Sequence, residues 1–164
     1  MTHKAKQQPI LVPVDFSPCS EEALRYAAEL AATLQLPLVV LHVVHDPGQA
    51  PGYYATKGRK KQLRRMEDVA GDMMEDFMLA MKKKHPDQPA LEKADTRLVV
   101  GLPVTRILEA AAQLHAGMIV MGSQGRTGLA HVLLGSKAEQ VVRLSPMPVT
   151  IVKLKTKPGG KDGR

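Results

Sequence analysis

One cysteine, no tryptophan, two phenylalanines and three tyrosines are all that this 164-residue chain holds of the residues that build disulfide frameworks and aromatic platforms. Cys19 alone excludes an internal disulfide framework and a cysteine-based zinc site. Set among small polar residues at a predicted helix start, it reads as a small buried side chain rather than a reactive thiol. Scarce aromatics also remove the stacking platform that holds single-stranded nucleic acid. Long apolar runs are missing. Leu36–Val44 and Met118–Met121 are the most hydrophobic stretches, far short of the roughly 20 residues that cross a bilayer. Met1–Gln8 is polar and basic, with no secretory apolar stretch. The expectation is a cytoplasmic chain with neither a membrane nor a nucleic acid as its partner.

What is present is ordinary for a folded domain: 44% hydrophobic and 24% charged residues, enough to bury a core without covalent help. The net charge of +7 is peripheral. It sits on Lys4 and Lys6, on Lys57, Arg59, Lys60, Lys61, Arg64 and Arg65, and on the tail from Lys153 to Arg164. Those segments carry more than the whole net charge, so the remainder is mildly acidic. Solvated termini and a solvated loop account for that pattern better than a basic binding face does. The chain divides into a flexible N-terminus over 1–8, one domain over 9–153 and a disordered basic tail over 154–164. Pro158, Gly159, Gly160 and Gly163 lie in that tail. No internal repeat is present.

Along the chain, short apolar runs alternate with helical periodicity. Pro9–Asp15 is a nearly continuous apolar run ending at a carboxylate, the pattern of a strand buried on both faces. Ser17 then reads as a helix N-cap, with Pro18 at the first helical position and Glu21 and Glu22 in the first turn. Ala23, Leu24, Ala27, Leu30, Ala31 and Leu34 recur at helical spacing up to Pro37. Leu38–Val44 is a second buried strand. A helix is predicted over Lys60–Lys83, with Leu63, Met66, Val69, Met73, Phe77 and Ala80 on one stripe and its methionines as flexible core filler. Thr96–Val100 is a third strand and Val104–Leu114 a helix. Met118–Met121 is a fourth strand, Gly135-Ser136 opens a helix running to Leu144, and Pro148–Val152 is a fifth strand. Alternating strands and helices imply right-handed crossovers and an open parallel sheet, helices on both faces.

In such a sheet, ligands bind beyond the carboxyl ends of the strands, where strand order reverses. Asp15 follows strand one and Gly122 follows strand four, so both belong to that crevice if these strands are neighbours. The run Gly122-Ser123-Gln124-Gly125-Arg126-Thr127-Gly128, with Gly135-Ser136 at a helix start, has the parts of a phosphate cradle. Glycines let backbone amides approach an anion, and a helix N-terminus adds unpaired amides and a favourable dipole. Ser123 and Ser136 bring hydroxyls, Arg126 and Lys137 positive charge. A glycine-rich loop without a ligand is the bland alternative, and the strand-loop-helix placement favours phosphate. There is no Gly-x-x-x-x-Gly-Lys-Ser/Thr loop, and Asp-Phe-Ser follows strand one in place of Gly-x-Gly-x-x-Gly. A Walker ATPase and a dinucleotide dehydrogenase are therefore disfavoured.

Over about residues 9–153 the chain resembles the universal stress protein family. The resemblance is carried by Ile10-Leu11-Val12-Pro13-Val14-Asp15-Phe16-Ser17, Leu41-His42-Val43, Met121–Gly128, Gly135-Ser136 and Pro148-Val149. The spacing Gly122, two residues, Gly125, nine residues, Gly135-Ser136 is similar to that of the family's ATP-binding branch. The resemblance implies a Rossmann-like, adenine nucleotide alpha hydrolase-like sheet of five parallel strands in the order 3-2-1-4-5. It also implies a homodimer along strand five and a role in stress response. By matching position, it implies Asp15 near the ribose, Pro13, Val14 and Val43 around the adenine, and Met121 and Gly122 at the ribose and first phosphate. Gly125, Arg126, Gly135 and Ser136 would surround the outer phosphates, with Mg²⁺ arriving alongside the triphosphate. Lys137 departs from the small or apolar residue usual at its position.

His42, inside an apolar strand, reads as a satisfied core histidine; His115 and His131 are isolated. Tyr53 and Tyr54 belong to a plain loop. No nucleophile-base constellation stands out. The leading expectation is an ATP-responsive regulator that a protein partner recognises. Two alternatives stay open: a slow ATPase or phosphotransferase using Asp15 and the Ser123 and Ser136 hydroxyls, and an ATP-independent interaction scaffold.

Overall fold

The computed structural model describes residues 7–45, 59–125 and 134–154, with the backbone alone over 59–65. The expectations for Arg126, Thr127, Gly128 and His131, for the loop bearing Tyr53 and Tyr54, and for most of both termini lie outside the described residues. The elements in chain order are β1 (Ile10–Pro13), α1 (Pro18–Leu34), β2 (Leu38–His45), α2 (Arg59–Lys84), α3 (Pro89–Glu92), β3 (Asp95–Gly101), α4 (Pro103–Gln113), β4 (Met118–Gly122), α5 (Ser136–Leu144) and β5 (Val149–Val152). The strands form one sheet in the order β3-β2-β1-β4-β5, every pair parallel, as the alternation of strands and helices implied for the pairing and the resemblance for the order.

The central strand explains the apolar run that opens the domain. Every residue of β1 is buried, because β1 pairs with β2 on one side and β4 on the other while helices cover both faces. Ile10 and Val12 point to one face and Leu11 to the other, following the two-residue strand period. On the first face they meet Ala23, Leu24, Ala27, Ala28 and Ala31 of α1. The alanine stripe lets that helix lie close against the sheet. On the second face Leu11, Leu41 and Ile119 pack against Ile107 and Ala111 of α4 and Ala138 and Val141 of α5. Each fully buried Leu or Ile side chain contributes about 2 kcal/mol relative to exposure, so these two layers supply most of the driving force.

Local signals set the start of α1. The Ser17 side chain accepts a hydrogen bond from the Ser20 amide at 3.2 Å, and Pro18 occupies the first turn. Its end is marked by Gln35 in the left-handed region, φ 55°. Two features differ from expectation. The short helix α3, whose Leu91 is fully buried, was not anticipated. The face of α2 is also different: Ala70, Met74, Phe77, Met78 and Met81 are buried, whereas Met66 and Val69 are 43% and 57% exposed. Among the described side chains of the expected stripe, only Phe77 is buried. The cause is legible in the chain, since Met73-Met74 and Phe77-Met78 give α2 two adjoining apolar stripes, and periodicity does not choose between them. Packing over β2 and β3 selects the wider one.

Candidate functional site

β1 has β2 on one side and β4 on the other, so the strand order reverses between β1 and β4. The register Ile10↔Met118 and Leu11↔Ile119 aligns these strands, and their carboxyl ends open on the same side. That is where a doubly wound sheet leaves a crevice. Asp15 lies two residues beyond β1, and its Oδ1 accepts a hydrogen bond from the Ser17 amide at 3.1 Å. Between them Phe16 sits at φ 63°, in the left-handed region. This tight turn lifts the carboxylate out of the sheet line.

The Gly122 segment meets it from the other strand. A Cβ built on Gly125 would lie 2.8 Å from Asp15 Oδ2, so the carboxylate rests directly on the glycine backbone. Two residues 110 positions apart thus share one wall of the crevice. Gly122, the last residue of β4, is pressed against α1. A Cβ there would come within 2.9 Å of Cys19 Sγ and 3.0 Å of the Cys19 carbonyl carbon and oxygen. The next residue extends the ladder, with the Ser123 amide donating to Val152 O at 2.9 Å. The segment then closes on itself: the Gly135 amide donates to Ser123 O at 2.7 Å. That bond seats the start of α5 against the end of β4. Gly135 is the N-cap of α5 and brings no side chain to cap it, so a bare helix terminus faces this region.

The remaining expected residues fall in three places. Pro13 ends β1, and the Val14 amide donates to Leu41 O at 2.8 Å. The Val14 side chain packs in the α1–α2 layer, whereas Val43 and Met121 pack in the α4–α5 layer. The two valines therefore lie on opposite faces of the sheet. Ser123 is buried, its Oγ 3.7 Å from Cys19 Sγ, which directs the hydroxyl toward α1. Ser136 and Lys137 are exposed on the first turn of α5. Among the described residues no group of three or more His, Cys, Asp or Glu is placed to hold a metal, and no helix is long and apolar enough to cross a membrane. A groove of about 300 Å³ between α2 and β3, lined by Met74, Met78, Leu79 and Ala94, lies away from the crevice.

Two contributors were given structural readings in the sequence and no place in the site. Cys19 is the floor on which Gly122 rests. His42 Nδ1 lies 2.8 Å from Val14 O, and its ring packs on Phe16 with centroids 4.3 Å apart. The expectation of a satisfied histidine holds, and its partner is the carbonyl immediately before Asp15. The signal available for Cys19 was its place in the first turn of α1, directly after the residue-15 turn.

Comparison with known proteins is consistent with this arrangement. The universal stress protein family profile matches residues 7–153. Universal stress protein MJ0531 of Methanocaldococcus jannaschii is 32% identical over 145 residues, covering 88% of this chain and 81% of that protein. The solved universal stress protein UspA of Lactobacillus plantarum superposes with a TM-score of 0.74 at 27% identity, covering 90% of this chain and 99% of the other. The universal stress protein of Archaeoglobus fulgidus, solved in complex with dAMP, gives 0.56 at 25% identity, covering 89% and 98%. The fold is the adenine nucleotide alpha hydrolase-like arrangement.

Proposed function

We propose that this chain, which belongs to the universal stress protein family, binds ATP in the crevice between β1 and β4 and acts as a nucleotide-responsive stress regulator. The observation that carries the reading is the seat of Asp15 on Gly125, with the segment behind it closed by the Gly135–Ser123 bond. These glycines form a cradle that a Cβ would fill. One end offers a carboxylate suited to ribose hydroxyls, and the other a bare helix terminus suited to phosphate. The dAMP held by the Archaeoglobus relative supports an adenine nucleotide as ligand. The spacing from Gly122 through Gly125 to Gly135-Ser136 supports the triphosphate.

In this reading Asp15 accepts hydrogen bonds from the ribose, and the Pro13-Val14 backbone and Val43 border the adenine. Met121 and Gly122 adjoin the ribose and first phosphate. Gly125, Arg126, Gly135 and Ser136 surround the outer phosphates, and Lys137 on the first turn of α5 adds positive charge at the rim. Mg²⁺ would enter with the triphosphate and be held chiefly by its oxygens. Asp15 already spends Oδ1 on the Ser17 amide, and no described cluster supplies a full ligand set.

Calorimetric titration with ATP and Mg²⁺ tests the reading: saturable one-site binding is expected, and no heat at millimolar ATP overturns it. Holding a nucleotide, rather than cleaving it, is the expected role. Turnover well above that of a Gly125 variant would favour the slow ATPase or phosphotransferase instead.

The regulator acts as a homodimer through β5. That strand ends the sheet, and all four of its residues are only half-buried in the single chain. Natural sheets rarely leave such an apolar edge unpaired. Sedimentation at micromolar concentration should return twice the 17.8 kDa chain mass; a monomer would remove the dimer from the proposal.

A further inference from the structure

We infer that His42 is a positioning residue for Asp15: it fixes the Val14–Asp15 peptide from the neighbouring strand and so aims the carboxylate at the ligand. The inference rests on the nucleotide reading of the crevice but is separable from it by experiment.

Asp15 stands outside the sheet ladder, so its direction is set by the turn that follows β1. That turn contains an unfavourable element. Phe16, a bulky residue, adopts φ 63°, a region that side chains other than glycine, asparagine and aspartate rarely enter. A conformation of that kind persists where its surroundings over-determine it. Here the surroundings are aromatic. The Phe16 ring packs on His42 at 4.3 Å with planes 32° apart, and it meets Phe77 edge-on at 5.4 Å. Phe77 comes from the buried stripe of α2 and His42 from β2, so two separate elements hold one side chain in place.

His42 does more than pack. A carbonyl only accepts, so the 2.8 Å contact places a proton on Nδ1, donated to Val14 O. Val14 O belongs to the peptide group that leads into Asp15. The Val14 amide on the preceding side is held by Leu41 O, and Leu41 is the residue before His42. Consecutive residues of β2 thus clamp consecutive peptides of the β1 end. Past this clamp, the Ser17 amide holds Asp15 Oδ1, and Oδ2 is set beside Gly125. The chain of contacts runs from His42 to the peptide, from the peptide to the carboxylate, and from the carboxylate to the crevice wall.

A purely structural histidine would loosen everything near it when removed, whereas a positioning residue acts on one bond. Amide hydrogen exchange of the ligand-free protein distinguishes them. His42→Ala should speed exchange at the Ser17 amide, bonded to Asp15, at least tenfold. The Ser20 amide, bonded to the Ser17 side chain, should stay unchanged. His42→Asn, which can place an N–H near the Nδ1 position, should restore much of the protection at Ser17. His42→Gln serves as the donor-shifted variant if alanine does not fold. Unchanged Ser17 exchange, or Ser17 and Ser20 rising together, overturns the inference. In parallel, His42→Ala should weaken ATP about tenfold but leave inorganic triphosphate, which has no ribose, unaffected. Equal ATP affinity in wild type and His42→Ala overturns the positioning role. Failure of the wild type to bind ATP overturns the nucleotide reading, and amide exchange still decides the role of His42.

Discussion

Gly125→Val is expected to weaken ATP binding at least 100-fold while moving the melting temperature by no more than a few degrees. The separation of the two effects follows from where the glycine sits. Its Cβ position is 2.8 Å from Asp15 Oδ2, inside the closest approach of real carbon and oxygen atoms, and the next neighbour, Asp15 Cγ, is 4.0 Å away. Among the described residues, the group forced to move is therefore the carboxylate. It cannot turn freely, because Oδ1 is tied to the Ser17 amide and the turn is held by Phe16 packing. A branched side chain would displace the group proposed to read the ribose and occupy space where backbone must approach phosphate. A 100-fold loss corresponds to about 2.8 kcal/mol, reasonable for one charge-assisted contact plus steric exclusion. Stability is spared because Gly125 is exposed and contributes nothing to either core layer. Calorimetric titration paired with a thermal melt measures both quantities. Wild-type affinity in Gly125→Val would remove Gly125 from the site.

How much of this was legible beforehand depended on whether the physics was local. The start of α1 was, because an N-cap serine, a proline after it and acidic residues in the first turn all act within one helical turn. The burial of β1 was also legible, since four consecutive apolar residues leave no polar face for solvent. The orientation of α2 was not. Its two adjoining apolar stripes are equivalent until a sheet is placed beneath them, and tertiary packing alone selected Met74, Met78 and Met81 over Met66 and Val69. The site divided in the same way. Glycine spacing pointed to a phosphate loop, and strand topology was enough to predict that Asp15 and the Gly122 segment share an opening. Nothing local indicated that Ser123 would turn toward Cys19, 104 positions earlier in the chain, or that Val14 and Val43 would face opposite layers. Nor did the Asp15-Phe16-Ser17 sequence reveal that its middle residue takes a left-handed conformation, because the rings of His42 and Phe77 that pack on it come from distant elements.

Gly122, by contrast, is pressed against helix backbone and has no room for a side chain. Gly122→Ala is expected to destabilise the protein by about 2–3 kcal/mol, the upper range for forcing one methyl into a filled site. An added Cβ would stand 2.9 Å from Cys19 Sγ and 3.0 Å from both the carbonyl carbon and oxygen of Cys19. A clash with the end of a flexible chain is relieved by a rotamer change, but two of these three atoms are backbone. They belong to the first turn of α1, anchored by the Ser17 cap to the Ser20 amide. The strand cannot retreat either: Gly122 pairs with Val152, and the Ser123 amide is bonded to Val152 O. Urea unfolding should show the loss as a midpoint lowered by about 1–2 M, given a typical slope near 1–3 kcal/mol per molar for a domain of this size. Cys19→Ala tests the assignment of the clash. It removes Sγ alone, so in the Gly122→Ala background it should recover less than half of the lost stability. Full recovery would place the conflict in the thiol and not the helix backbone, and an unshifted midpoint would mean that β4 and α1 have room to separate.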